Sequence, residues 1–290
     1  MESPLTPCAV VGADGFLGSN LIRLCQEIGI PCVSTSRLSG PHQFDLSDLS
    51  ASVLLADLLK NNGVKTAFIC AAQPNVDACA KDPERARTIN VTGTLALCRA
   101  LQEQDILPVF FSSDYVFSGR RDRPDESVTL EPLTEYGRQK AETESALKES
   151  GRPHLIFRTS KIFSMKSHAK NPLQHLTREV AAGTGVFAVD QYMTPVFVED
   201  FKVPLLAAIQ GRLRGTYHLA WAHKYNRFEM ASFIATRLGR DPKALKSCRL
   251  ADLNLIEPRP HYSTLNADKI QRELDFRFRD LESVNLKELL

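Results

Sequence analysis

The stretch VVGADGFLGSN, Val10 to Asn20, decides the fold. It sets Gly12, Gly15 and Gly18 in a GxxGxxG spacing between an apolar run, Cys8 to Gly12, and an amphipathic segment, Phe16 to Ile28. Gly12 permits a tight turn, Gly15 lets the backbone approach a pyrophosphate, and Gly18 lets a helix pack closely on the strand before it. The helix start, with Phe16 and Leu17, then turns free N–H groups and a positive dipole end toward the phosphates. A turn of this kind also occurs with nothing bound. Its weight comes from standing at the first strand–helix junction of an alternating chain.

That alternation continues outward. Strands are expected at Pro31 to Thr35, Thr66 to Ala71, Leu107 to Ser112 and His154 to Arg158, with helices near Leu49 to Asn61, Glu84 to Gln104 and Glu135 to Glu149. Apolar runs such as AFICAA and PVFFSS lack polar alternation, as strands buried on both faces do. The pattern predicts an α/β fold of the Rossmann type, a doubly wound parallel sheet covered by helices. After Phe163 the rhythm breaks, and residues 164–195 show no clear period. Helical patterns return at Val203 to Ile209 and Arg227 to Leu238, with a strand-like run at Gly215 to Ala220. A dinucleotide-binding domain over 1–165 and a smaller substrate-binding region over 166–290 are expected, with a soft boundary and interleaved elements.

The second strand ends in Ser34-Thr35-Ser36-Arg37. An acidic residue in this place holds a ribose 2′-hydroxyl in many NAD enzymes. Arg37 instead suits a 2′-phosphate, so NADP(H) is expected over NAD(H). The alternative for Arg37 is a solvated loop residue. Asp45 and Leu46 stand where they would border an adenine, with Asp45 accepting from its amino group. Asp45 reads equally as a helix-entry residue.

Tyr136 and Lys140 lie in YGRQK, at i and i+4 of an expected helix and hence on one face. An ammonium beside a phenol favours phenolate and lowers the tyrosine pKa. That suits Tyr136 to proton transfer with a carbonyl or alcohol. Ser113 falls at the carboxyl end of the fourth strand, where open α/β sheets place their ligands. It either donates to a substrate oxygen beside Tyr136 or simply caps the next turn.

Composition narrows the classes. The formal net charge of +2 over 290 residues gives no reason to expect nucleic acid or an anionic membrane as a partner. No apolar run approaches the roughly 20 residues of a membrane span. Met1 to Val11 lacks the pattern of a signal peptide. Seven cysteines without a CxxC pair argue against a metal or disulfide framework, so no metal is expected and the cytoplasm is the expected compartment.

The motifs SSDYVFSG (112–119), YGRQK (136–140), FRTS (157–160), DQYMTP (190–195) and RPHYSTLN (259–266) occur in an order that resembles the dTDP-4-dehydrorhamnose reductase family of extended short-chain dehydrogenase/reductases. The resemblance runs from the glycine turn to about Lys269. It implies NAD(P)H-dependent reduction of a 4-keto sugar nucleotide, with Ser113, Tyr136 and Lys140 in the catalytic positions. It further implies that Ala71 and Ala72 line the cofactor groove, and that Asn90 supports the backbone around the cofactor. Tyr115, Lys161 and Arg259 would border the substrate. Arg259 also reads as an ordinary loop arginine.

Two departures concern the substrate half. Lys161 stands where many members have tryptophan, and the family's DQxGxPT becomes DQYMTPV, with Met193 and Val196 altered. A keto substrate that is not a nucleotide is therefore one alternative. The same family includes the regulatory β subunit of methionine adenosyltransferase, which the chain resembles in SSDYVF and in GTYHLAWAHKYNRFEMASFIA, residues 215–235. This implies a second alternative, an NADP-binding regulatory subunit in a hetero-complex with a synthetase subunit. A homodimer is the other assembly expected.

Overall fold

A computed structural model describes residues 6–38 and 40–290. The glycine turn follows β1 (Cys8–Val11) and opens α1 (Phe16–Glu27); β2 (Cys32–Thr35), α2 (Ala51–Asn61) and β3 (Thr66–Ile69) come next. β4 (Leu107–Ser113) and β5 (Leu155–Thr159) complete the first half, and a sixth strand, Gly215–Leu219, joins β5 in parallel. The sheet runs, from one edge, sixth strand, β5, β4, β3, β1, β2, with every pairing parallel. An isolated parallel bridge between Ser36 and Gln43 extends it one step past β2. The chain thus winds outward from β1 through β2 and then crosses to β3 on the other side. The crevice between the carboxyl ends of β1 and β3 is the switch point at which such sheets bind ligands.

β1, β3, β4 and β5 are buried along their whole length, as their unbroken apolar character requires. Alternate residues feed two separate cores. Cys8 and Val10 pack with Leu21 and Leu24 of α1, whereas Ala9 and Val11 pack with Leu55 and Leu59 of α2 and with Leu97 and Leu101 of α5 (Thr94–Glu103).

The stretch expected as one helix over Glu84 to Gln104 is broken up. α3 (Val76–Lys81) and α4 (Pro83–Arg87) precede a π-helical segment at Thr88–Gly93, and only then does α5 begin. The wide turn accompanies a close approach. A side chain on Gly93 would stand 1.8 Å from the Leu46 carbonyl oxygen, so only glycine lets this helix and the Leu46 backbone meet. α6 (Glu135–Glu149) occupies the residues expected for it.

The region 164–195 also departs from expectation. It contains α7 (Pro172–Ala182), started by Asn171 accepting from the Leu173 N–H and ended at Gly183 with φ +71°. Leu173, Leu176 and Val180 form its buried face. Beyond it, α8 (Lys202–Ile209) covers the sheet, α9 (Arg227–Arg237) packs on α7, and α10 (Asp268–Leu274) packs on the sixth strand. Short pairings, including residues 192–193 with 225–226 and 262–263, tie this part together around the buried Trp221, which touches Phe163 and Phe197. Among the described residues, no helix is long and apolar enough to cross a membrane.

Candidate active site

The glycine turn has the geometry that its sequence demands. Gly12 adopts φ +94°, and a side chain there would strike the Ala71 backbone nitrogen at 2.6 Å; on Gly18 it would lie 2.2 Å from the Gly12 carbonyl oxygen. Gly15 caps α1 with no side-chain hydrogen bond, and the first turn carries no acidic residue. The N–H groups at this helix start are therefore available to an anion. Ala71 and Ala72 follow β3 across the crevice, with the Ala71 N–H donating to the Val11 carbonyl at 2.9 Å. Gly12 and Gly18 thus let the turn, the Ala71 backbone and α1 meet without side chains between them, and the uncapped N–H groups of the helix start are the part that fits a pyrophosphate.

The other expected cofactor contacts divide. Arg37 is exposed at the end of β2. Asp45 accepts from both the Ser47 N–H and its hydroxyl, each at 2.8 Å, in a local turn ahead of α2, whose entry is held by Asp48 instead, and Leu46 is buried in the second core. Asn90 does not face the groove. It lies buried in the π-helical segment, accepts from the Gln73 N–H at 2.8 Å, and donates to the Gln73 carbonyl and to Gln139 Oε1. Its amide is occupied in holding the loop after β3, so its part in the groove is support of the backbone.

Ser113 ends β4. Its Oγ donates to Asp114 Oδ1 at 2.7 Å and accepts from the Tyr115 N–H at 3.2 Å, so the hydroxyl does cap the short turn that follows. α6 brings Tyr136 to the same place. Thr134 caps this helix by accepting from the Gly137 N–H. Gly137 permits a contact that no other residue would, since a Cβ there would lie 2.2 Å from the Tyr115 carbonyl oxygen. The Tyr115 and Tyr136 rings meet edge to face with centroids 6.1 Å apart.

Lys140 lies one turn below Tyr136 and is buried. Its Nζ donates to the Phe111 carbonyl at 2.8 Å and sits over the Phe110 ring. Burial lowers its pKa to about 8, against the opposing field of Glu144. The expectation that Lys140 lowers the tyrosine is corrected here. Burial pushes the Tyr136 phenol up, the Asp114 carboxylate adds to the rise, and hydrogen bonding with Ser113 opposes it. The ammonium faces a backbone carbonyl and the ring faces of Phe110 and Tyr136, with the Tyr136 centroid at 5.8 Å.

Around this pair lie the residues expected at the substrate. Burial raises the Tyr115 phenol to about 12, with Asp114 adding to the rise and Arg259 opposing it. Arg259 is no free loop residue: it donates to Asp77 Oδ1 at 2.5 Å and to the Glu257 carbonyl. Lys161 is exposed at the surface, and burial, with Arg227 adding to it, lowers its pKa; Asp114 opposes that shift.

Sequence reasoning missed Asp114, a buried carboxyl that accepts from Ser113 and Ser263 and whose pKa burial raises despite those bonds. It lies inside the quoted motif SSDYVFSG, and only its burial distinguishes it from an ordinary turn aspartate. The buried partners Glu144 and Arg158 were missed as well. Arg158 stood in the quoted FRTS, and Glu144 falls four residues after Lys140.

A parallel sheet with a glycine-rich crossover at its switch point and a Ser, Tyr, Lys cluster beside it defines an extended short-chain dehydrogenase/reductase. The family model described as the RmlD substrate binding domain matches residues 8–290, and the chain belongs to that family. It is 32% identical over 221 residues to the dTDP-4-dehydrorhamnose reductase of Salmonella typhimurium, covering 71% of this chain and 72% of that one. It is 29% identical over 276 residues to a probable low-salt glycan biosynthesis reductase of Haloferax volcanii, with 91% of each covered. Among solved structures, dTDP-4-dehydrorhamnose reductase from Bacillus anthracis in complex with NADP superposes with a TM-score of 0.84 at 23% identity, covering 98% and 97% of the two chains.

Proposed function

We propose that this chain is an NADPH-dependent reductase of a ketone, and that its substrate is a 4-keto-6-deoxy sugar nucleotide. The observation that carries this reading is the convergence of Ser113, Tyr136 and Lys140 beside the Gly12–Gly18 cradle, in a chain related along most of its length to reductases of that substrate class. NADPH, when bound, supplies the hydride. The chain's residues supply position and a proton. The Tyr136 phenol is protonated in the free protein, so the proton to be given to the carbonyl oxygen is in place. Ser113 would turn its hydroxyl from Asp114 onto the same oxygen. Lys140 would stabilise the phenolate left behind and hold the nicotinamide ribose. Tyr115, Lys161 and Arg259 border the space for the sugar and its nucleotide.

The test is purified protein with NADPH or NADH and a panel of keto-sugar nucleotides, followed by loss of the reduced nicotinamide absorbance. The expected result is turnover with a 4-keto-6-deoxy sugar nucleotide, faster with NADPH. Tyr136→Phe should lower kcat by on the order of 10²–10⁴ while still binding NADPH. Undiminished turnover in Tyr136→Phe would sink the assignment. NADPH binding without turnover on any ketone would favour a regulatory subunit instead.

A further inference from the structure

Three cysteines far apart in sequence meet at the end of the sheet opposite to Tyr136. Cys8 opens β1, Cys32 opens β2, and the two are register partners. Cys25 comes from the last turns of α1, the helix that crosses between those strands. The Cys8 and Cys25 sulfurs are 3.6 Å apart, and all three Sγ atoms lie within 4.8 Å of one another. Cys8 and Cys25 are wholly buried, among Val10, Leu21, Leu24 and Ile30, while Cys32 is partly exposed.

A zinc ion holds thiolate sulfur at about 2.3 Å, which places sulfurs on a shared ion roughly 3.8–4.0 Å apart. The cluster stands close to that spacing already. Cysteines acting only as small hydrophobes have no need of a three-way sulfur approach. We propose that Cys8, Cys25 and Cys32 form a three-sulfur site for a thiophilic divalent cation of the zinc class, entered past Cys32. Sulfur-only ligation selects thiophilic ions over magnesium or calcium. Residual charge selects among them: three thiolates leave −1 on a divalent ion and −2 on monovalent copper, and apolar walls disfavour the larger charge. Binding balances as one cation taken up and three thiol protons released. The sequence spacing gave no hint of this site, because the chain gathers the ligands only when the first βαβ unit closes.

The test uses the full chain, reduced and metal-free, titrated with Co²⁺ as a zinc surrogate and separately with Cu⁺. One equivalent of Co²⁺ should bring sulfur-to-metal charge-transfer absorption that saturates at one per chain and is displaced by Zn²⁺. Zn²⁺ should also raise Tm. Cys32→Ser, at the partly exposed position, should abolish the absorption while leaving NADPH binding unchanged, and Cys25→Ala should do the same. Absence of charge transfer in the folded wild-type protein overturns the proposal, as does its persistence in Cys32→Ser. Saturable binding of Cu⁺ without Co²⁺ or Zn²⁺ overturns the divalent assignment.

Discussion

Arg158 grips Glu144 with two prongs, Nε to Oε1 at 2.9 Å and Nη2 to Oε2 at 2.6 Å, and both side chains are buried, at 1% and 0% exposure. The pair joins β5 to α6 four residues past Lys140. Burial opposes the Glu144 charge, yet Arg158 overcomes it and leaves the carboxyl below its ordinary pKa. Glu144 in turn favours the charged form of Lys140. A strut of the sheet is therefore also part of the field at the site.

Breaking that pair should be severe. Removal of one partner leaves an uncompensated buried charge, which costs about 3–5 kcal/mol. Glu144→Gln or Arg158→Met should lower the unfolding free energy by that much in urea denaturation. The double variant Glu144→Leu/Arg158→Met should recover most of the loss, because apolar residues of similar volume can replace a buried ion pair. A double variant as unstable as the sum of the singles would contradict this account.

The same network predicts an acid limb. His218 is fully buried, its Nε2 stands 3.1 Å from Arg158 Nη1, and burial, with Arg158 adding to it, lowers its pKa to about 3. The folded state therefore keeps this imidazole neutral, while the unfolded state protonates it near pH 6.5. Between about pH 3 and 6.5 the unfolded state binds more protons, so stability falls as pH drops through that window. One proton corresponds to a slope of about 1.4 kcal/mol per pH unit. Urea midpoints from pH 7 down to 5 should fall in the wild type and flatten in His218→Gln.

Gly137→Ala should separate architecture from chemistry. The added Cβ would meet the Tyr115 carbonyl oxygen at 2.2 Å, and that backbone has little room to yield because Asp114 beside it is buried. The first turn of α6 must shift, and Tyr136 with it. A displacement of about 1 Å near the reacting atoms costs on the order of 10²-fold in rate. Kinetics should show kcat reduced by that order while NADPH affinity, held mainly by the backbone of the glycine turn, changes little. Unchanged kcat would mean that the helix accommodates the methyl without moving Tyr136.

What was legible in the sequence follows from how local each signal is. Gly12, Gly15 and Gly18 announce themselves because one turn needs all three, and Tyr136 with Lys140 because helical spacing puts them on one face. α7 was missed although Asn171-Pro172 and Gly183 mark its two ends, because the surrounding lysines and the short strands after it hid the period of Leu173, Leu176 and Val180. The Arg158–Glu144 pair and the Gly137 approach to Tyr115 were not legible. Each is a contact between elements that only the closed sheet brings together. The same holds for Lys140: spacing put it beside Tyr136, but its partner is the Phe111 carbonyl on β4.

Lys140 carries the last prediction. Burial lowers its pKa to about 8 from an ordinary 10.5, so the folded state releases this proton before the unfolded state does. Between pH 8 and 10.5 the unfolded chain binds more protons, and stability rises with pH through that window. Below pH 8 the buried ammonium burdens the fold, by about 3 kcal/mol if the shift is taken at 1.36 kcal/mol per unit. The Phe111 carbonyl and Glu144 hold it in place at that cost. Lys140→Met should therefore remove turnover yet leave the free protein as stable as the wild type at pH 7, or more so, with the gap closing as pH approaches 10.5. Denaturant titrations of both proteins at pH 7, 9 and 10.5 measure it. A Lys140→Met protein several kcal/mol less stable at pH 7 would show that the ammonium supports the fold and would overturn its reading as a functional charge that the fold tolerates.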